Sequence, residues 1–109
     1  MSSRALGSLV TSCMTSLLLA TSAFAEDALS KCVASRSEEA LTIVKQTAGL
    51  TQKSQLDGLR GMVKHICVDQ HQLAASLNEK EVESTIARGA LAAVHRVFGP
   101  DYLDAHPLK

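Results

Sequence analysis

The sequence predicts an all-α fold, a small three-helix bundle built on a disulfide-linked antiparallel helical hairpin that follows a cleaved signal peptide. Three observations predict it. Apolar residues recur at spacings of three and four along three successive stretches, the signature of one face of a helix. Glycine, proline and capping residues punctuate the chain where those stretches end. Two cysteines flank the first punctuation point at equal distances.

Residues 1–25 carry the three parts of a secretory signal in order. Arg4 is the lone early cation, no charged side chain occurs between Ala5 and Ala25, and Ala23-Phe24-Ala25 places small residues at the cleavage site. The densest apolar piece is Leu17, Leu18, Leu19 and Ala20, and the acidic pair Glu26-Asp27 opens the chain beyond it. An uncleaved anchor needs about 20 predominantly apolar residues, and seven Ser and Thr between Ser8 and Ser22 make this a poor span. Too few apolar residues precede Cys13 for a lipoprotein signal. Removing residues 1–25 from 109 leaves 84, with ten Lys and Arg against eleven Asp and Glu, a balance of −1. A chain of that size makes one domain with a modest core, so a covalent staple is of real value. Mixed charge with no basic block argues against a nucleic-acid surface, which needs clustered Lys and Arg.

Residues 26–99 read as the helical domain and 100–109 as a C-terminal tail. The first helix, 27–48, carries Leu29, Cys32, Val33, Ala40, Ile43 and Val44 on one face. Gly49 ends it, because glycine accepts the left-handed conformation that closes helices. Thr51 to Ser54 supplies N-cap candidates for the second helix, 54–77. There Leu56, Leu59, Val63, Ile66, Gln70, Leu73 and Leu77 step alternately by three and four, a narrow seam for one neighbour. Asn78-Glu79-Lys80-Glu81 resembles a capping box for the third helix, 79–98. Gly99-Pro100 stops that helix, since proline has no amide hydrogen to continue it. The tail is too short and polar to fold alone, though Tyr102 and Leu103 can pack back on the helices.

With Cys13 removed, Cys32 and Cys67 remain, and an exported chain meets an oxidising compartment that favours a disulfide. Facing residues of an antiparallel hairpin lie at equal distances from its turn. The midpoint between Cys32 and Cys67 falls between Gly49 and Leu50, the turn already assigned from punctuation. The same symmetry sets Leu29 opposite Gln70, Arg36 opposite Val63, Ala40 opposite Leu59 and Ile43 opposite Leu56. This spacing lacks the Cys-x-x-Cys of redox or zinc chemistry.

The remaining candidates for chemistry are sparse. His65 and Asp69, four apart, share one edge of the second helix and could grip one ion. His71 lies about 120° away around the helix, His95 falls on the solvent face of the third helix, and His106 is in the tail. The sequence therefore predicts no metal site and no cofactor. Arg36 falls inside the apolar arc of the first helix. Either its stem packs while its head reaches water, or it meets a carboxylate, or Ser35-Arg36-Ser37-Glu38 breaks the helix as a second capping box. Glu38-Glu39 and Glu79, Glu81 and Glu83 read as first-turn carboxylates that complement helix dipoles. No serine lies in a nucleophile elbow and no phosphate loop occurs, so the expectation is a protein that is not an enzyme.

The third helix is apolar around about half its circumference, through Val82, Ile86, Ala90, Leu91, Ala93, Val94, Val97 and Phe98. Either it fills the groove between the other two helices or part of it meets a partner or a second copy. The plan of an export signal followed by a short all-helical domain with one disulfide resembles the acid-stress periplasmic chaperones of enteric bacteria in size and layout. Lys31-Cys32-Val33 departs from the Thr-Cys of their disulfide motif. The functional expectation is a periplasmic or secreted, non-enzymatic protein that binds another cell-envelope protein or itself. A stress chaperone, as the resemblance implies, and a metal-binding module at His65 and Asp69 are the alternatives.

Overall fold

The computed structural model describes residues 26–109, so the expected signal peptide lies outside the described residues. Every regular element among the described residues is helical. Helix α1 occupies residues 26–46 without a break, so Ser35–Glu38 is not an internal cap. Its end falls two residues short of the expected 48. There the Thr47 hydroxyl donates to the Ile43 carbonyl at 2.8 Å, and Gly49, at φ 74°, donates its amide to the Val44 carbonyl at 2.7 Å. The glycine thus takes the left-handed cap that its position predicts.

Leu50 is fully buried behind that turn. Helix α2, Lys53–Lys64, has Gln52 as its N-cap, within the stretch Thr51 to Ser54 expected to supply it. The Gln55 carboxamide oxygen accepts from the Thr51 and Gln52 amides at 2.8 and 2.9 Å, and its nitrogen donates to the Gly49 carbonyl at 2.9 Å. One side chain therefore satisfies the N-cap amide and the amide before it, and ties the helix start to the preceding turn.

The second helix does not reach 77. After Lys64 it widens into a π-helical segment, His65–Gln70, in which the His71 amide reaches back five residues to the Ile66 carbonyl at 3.1 Å. Gln72 then takes φ 54° and the chain runs through turns to Asn78. The three-four seam continues through Leu73 and Leu77, which are half-buried against the core from turns instead of a helix. A spacing pattern records burial, and a compact turn can bury the same residues.

Helix α3, Glu79–Phe98, begins as expected: Asn78 Oδ1 accepts from the Glu81 amide at 2.8 Å. Glu81 reaches back to the Asn78 side-chain amide, at 2.9 Å, and not to its backbone. Gly99, at φ 107°, closes the helix. The tail is folded after all. A short helix α4, Tyr102–Ala105, is gripped by a hydrogen bond of 2.6 Å from the Tyr102 hydroxyl to the Leu50 carbonyl. Beyond it, Lys109 donates to the Thr51 carbonyl and accepts from the Lys53 amide, both at 3.0 Å. Contacts with the α1–α2 turn supply what the tail lacks in length.

The core joins Leu29, Val33 and Leu41 of α1, Leu50 of the turn that follows it, Leu59 and Val63 of α2, Cys67 of the π-helical segment, and Val82, Ile86, Ala90, Ala93 and Val94 of α3. On α1 the buried stripe is Leu29, Val33, Ser37 and Leu41, a strict four-residue step. Ile43, assigned to the buried face from sequence, is 59% exposed. The reason is angular: at 100° per residue, Ile43 lies about 200° from Leu41, so the two cannot share a face. Gln70, expected opposite Leu29, is exposed.

Cys32 and Cys67 form a disulfide with their Cα atoms 5.9 Å apart. Closing a separation of 35 residues stabilises the fold by roughly 3 to 4 kcal/mol in the chain-entropy model. Two hydroxyls work against it. Ser37 Oγ and Thr85 Oγ1 are buried and have no hydrogen-bond partner among the described residues, each at a cost of about 1–3 kcal/mol.

Candidate binding surface

The sequence points to the third helix as the place to look for a partner surface. The structure puts most of its apolar arc inside, burying Val82, Ile86, Ala90, Ala93 and Val94 and leaving Leu91 alone at 41% exposure. Its approach to α1 is close. A Cβ built on Gly89 would lie 2.5 Å from Val33 Cγ1, so glycine is what lets the helices meet there. Along the outer side of this seam Arg96 pairs with Glu38, and Lys45 Nζ donates to the Val97 carbonyl at 2.9 Å. Glu38 is thus a cross-helix partner and not a first-turn carboxylate, whereas Glu79 and Glu81 do occupy the first turn of α3.

The exposed apolar surface lies elsewhere, where α1 faces α2. A shallow groove there is lined by Arg36, Glu39, Ala40 and Ile43 from α1, by Met62 from α2 and by Ile66 from the π-helical segment that continues it. Among the described residues, Ile43 and Met62, at 59% and 40% exposure, are two of the three large apolar side chains left in water, and they share this groove. Arg36 turns outward and pairs with Glu39 at 3.5 Å, which places a charged rim beside an apolar floor. This resolves the three readings of Arg36: it meets a carboxylate at the helix edge. An apolar centre with a polar rim is the anatomy of protein-binding patches. Methionine adds adaptability, because its unbranched thioether fits irregular partners.

The three-four spacing hides the groove, because it places Ile43 on the apolar face of α1 with the core residues. The signal was present in the two-residue offset between Leu41 and Ile43, which puts them on opposite sides of the helix. Met62 likewise stands one residue, about 100°, from the buried Val63.

The histidine candidates are dispersed. His65 Nδ1 lies 3.3 Å from Asp69 Oδ2, and its other ring nitrogen is 3.4 Å from the Gln70 side-chain amide. Both ring nitrogens therefore face partners on the same segment. His71 is exposed, His95 is half-buried on α3, and His106 stacks on Tyr102 with ring centroids 4.4 Å apart. Among the described residues no three His, Cys, Asp or Glu side chains cluster as a metal site would require. No helix among the described residues is long and apolar enough to cross a membrane. No family model matches the chain, and no curated protein or solved structure is significantly similar to it.

Proposed function

We propose that this chain is an exported, non-enzymatic three-helix bundle that binds another protein of the cell envelope through the face between α1 and α2. The observation that carries the reading is the shared exposure of Ile43 and Met62 in one groove rimmed by the Arg36–Glu39 pair. Isolated exposed apolar residues are ordinary, but a cluster with a polar rim is the usual mark of an interaction surface. Export is supported by the Cys32–Cys67 disulfide, a bond that persists in oxidising compartments such as the periplasm and the exterior. The patch is small, which suits a transient contact better than an obligate one.

The test is cross-linking in cells that produce the exported protein, with captured proteins identified by mass spectrometry, in parallel with the Ile43→Glu variant. One envelope protein captured by the wild type and reduced at least tenfold in the variant supports the reading. Self-cross-linking that the variant abolishes would replace the partner with a second copy. Equal capture by both proteins would rule this face out.

A further inference from the structure

We propose that the α1–α2 face is redox-gated: the Cys32–Cys67 disulfide holds it in shape, and two-electron reduction dissolves it. As regulation of binding this rests on the function proposed above, but as a property of the fold it stands alone. The first observation is topological. Arg36, Glu39, Ala40, Ile43, Met62 and Ile66 all lie between the two cysteines in sequence, so the whole groove belongs to one covalent ring closed at Cys32–Cys67. At the other end of the ring the chain reverses at Gly49, whose φ of 74° marks the turn.

The second observation is how little of the α2 arm of this ring is buried. The buried residues of α2 are Leu59 and Val63 alone, and the next buried position is Cys67 itself. That cysteine sits in the π-helical segment, immediately before the chain leaves helical structure at His71. Among the described residues the core has no buried aromatic ring, and Ser37 Oγ and Thr85 Oγ1 have no hydrogen-bond partner. Loss of the cross-link lowers the ratio of folded to unfolded chains by roughly several hundredfold in the chain-entropy model. A domain of this size has a small margin to absorb such a loss.

The chemistry is thiol–disulfide exchange with a dithiol. One thiolate of the dithiol attacks a sulfur of the Cys32–Cys67 bond, forming a mixed disulfide and releasing the other cysteine as a thiolate that takes up a proton. The second thiolate then attacks the mixed disulfide, closing the reductant's own disulfide and freeing the second cysteine. Two electrons and two protons pass from the dithiol to the protein. A disulfide donor runs the same exchange in reverse. Cys67 is wholly buried and Cys32 partly accessible, so attack begins at the Cys32 side.

The experiment is amide hydrogen exchange on the exported, processed protein, oxidised and then equilibrated with dithiothreitol, followed by reoxidation with oxidised glutathione. Reduction is expected to lower protection across residues 36–46 and 56–66 by at least a hundredfold, and reoxidation to restore it. A Cys32→Ser/Cys67→Ser double variant is expected to show the reduced pattern without reductant. Protection within threefold of the oxidised value, in the reduced protein or in the double variant, would overturn the proposal, as would protection that reoxidation does not restore. All these measurements use the protein alone. Loss of capture in Ile43→Glu together with persistent protection under reductant would therefore leave the binding face standing and remove only the gate.

Discussion

Replacing Gly89 with alanine sets two effects against each other, and their sizes decide the outcome. In a helix interior the change is worth about 1 kcal/mol in favour of alanine. Against it stands the new Cβ, which would lie 2.5 Å from Val33 Cγ1 and 3.2 Å from Val33 Cβ. Carbon atoms pack at about 3.5–4.0 Å, so α1 and α3 must separate by about 1 Å there or Val33 must move. Val33 is fully buried, and a β-branched side chain in a helix has essentially one χ1 rotamer to occupy. Overpacking of this kind costs typically 1–3 kcal/mol and occasionally more, and a displacement this large belongs at or above the top of that range. Net destabilisation of about 2 kcal/mol is expected, which lowers Tm by roughly 8–16 °C in a domain of this size. Thermal unfolding of the oxidised protein followed by far-ultraviolet circular dichroism measures it. Gly61→Ala on α2 is the matched control, because a Cβ there meets nothing within 4 Å, and that variant gains Tm. Combining Gly89→Ala with Val33→Ala recovers part of the loss as a favourable coupling energy of about 1 kcal/mol. A Tm for Gly89→Ala equal to or above the wild type would refute the close approach of α1 and α3.

Ser37→Ala removes an unpartnered buried hydroxyl and installs the best helix former, so stability to urea rises by about 1 kcal/mol or more; a fall would show that Ser37 Oγ has a partner. Tyr102→Phe deletes the bond to the Leu50 carbonyl while keeping the ring, costing about 1 kcal/mol. In that variant, hydrogen exchange accelerates first at Lys53 and Lys109, whose amides are tied between the tail and the turn. Ile43→Glu leaves Tm within a few degrees, because the side chain is 59% exposed and surface changes are usually within about 0.5 kcal/mol. A large fall in Tm would return Ile43 to the core.

The parts of the fold that were legible in the sequence rest on local chemistry or on symmetry. Gly49, Asn78 and Gly99 announce helix ends through backbone freedom and side-chain reach, and all three do so in the structure. The cysteine pair located the hairpin turn because equal arms on either side of a reversal are a geometric necessity. What was illegible depends on distant packing. The two-residue offset puts Leu41 and Ile43 on opposite sides of α1, but which side is buried depends on where α3 packs, and the candidate groove hangs on that choice. The π-helical segment and the folded tail are tertiary outcomes as well. Leu73 and Leu77 keep the helical spacing while sitting in turns, and Tyr102 is held by a carbonyl 52 residues away.

The π-helical segment also bears on how this chain can vary. A π turn accommodates one residue more than an α turn over the same rise, the footprint of a single-residue insertion in an α-helix. Within His65–Gln70 the protein therefore carries a spare register position. Deleting one exposed residue there, such as Asp69, lets the segment revert to α geometry, with the turns that follow taking up the slack before α3 begins. The same deletion inside α3 would rotate everything beyond it by about 100° and turn its buried face to water. Length variation among sequences of this kind should accordingly gather in one short stretch beside the cross-link.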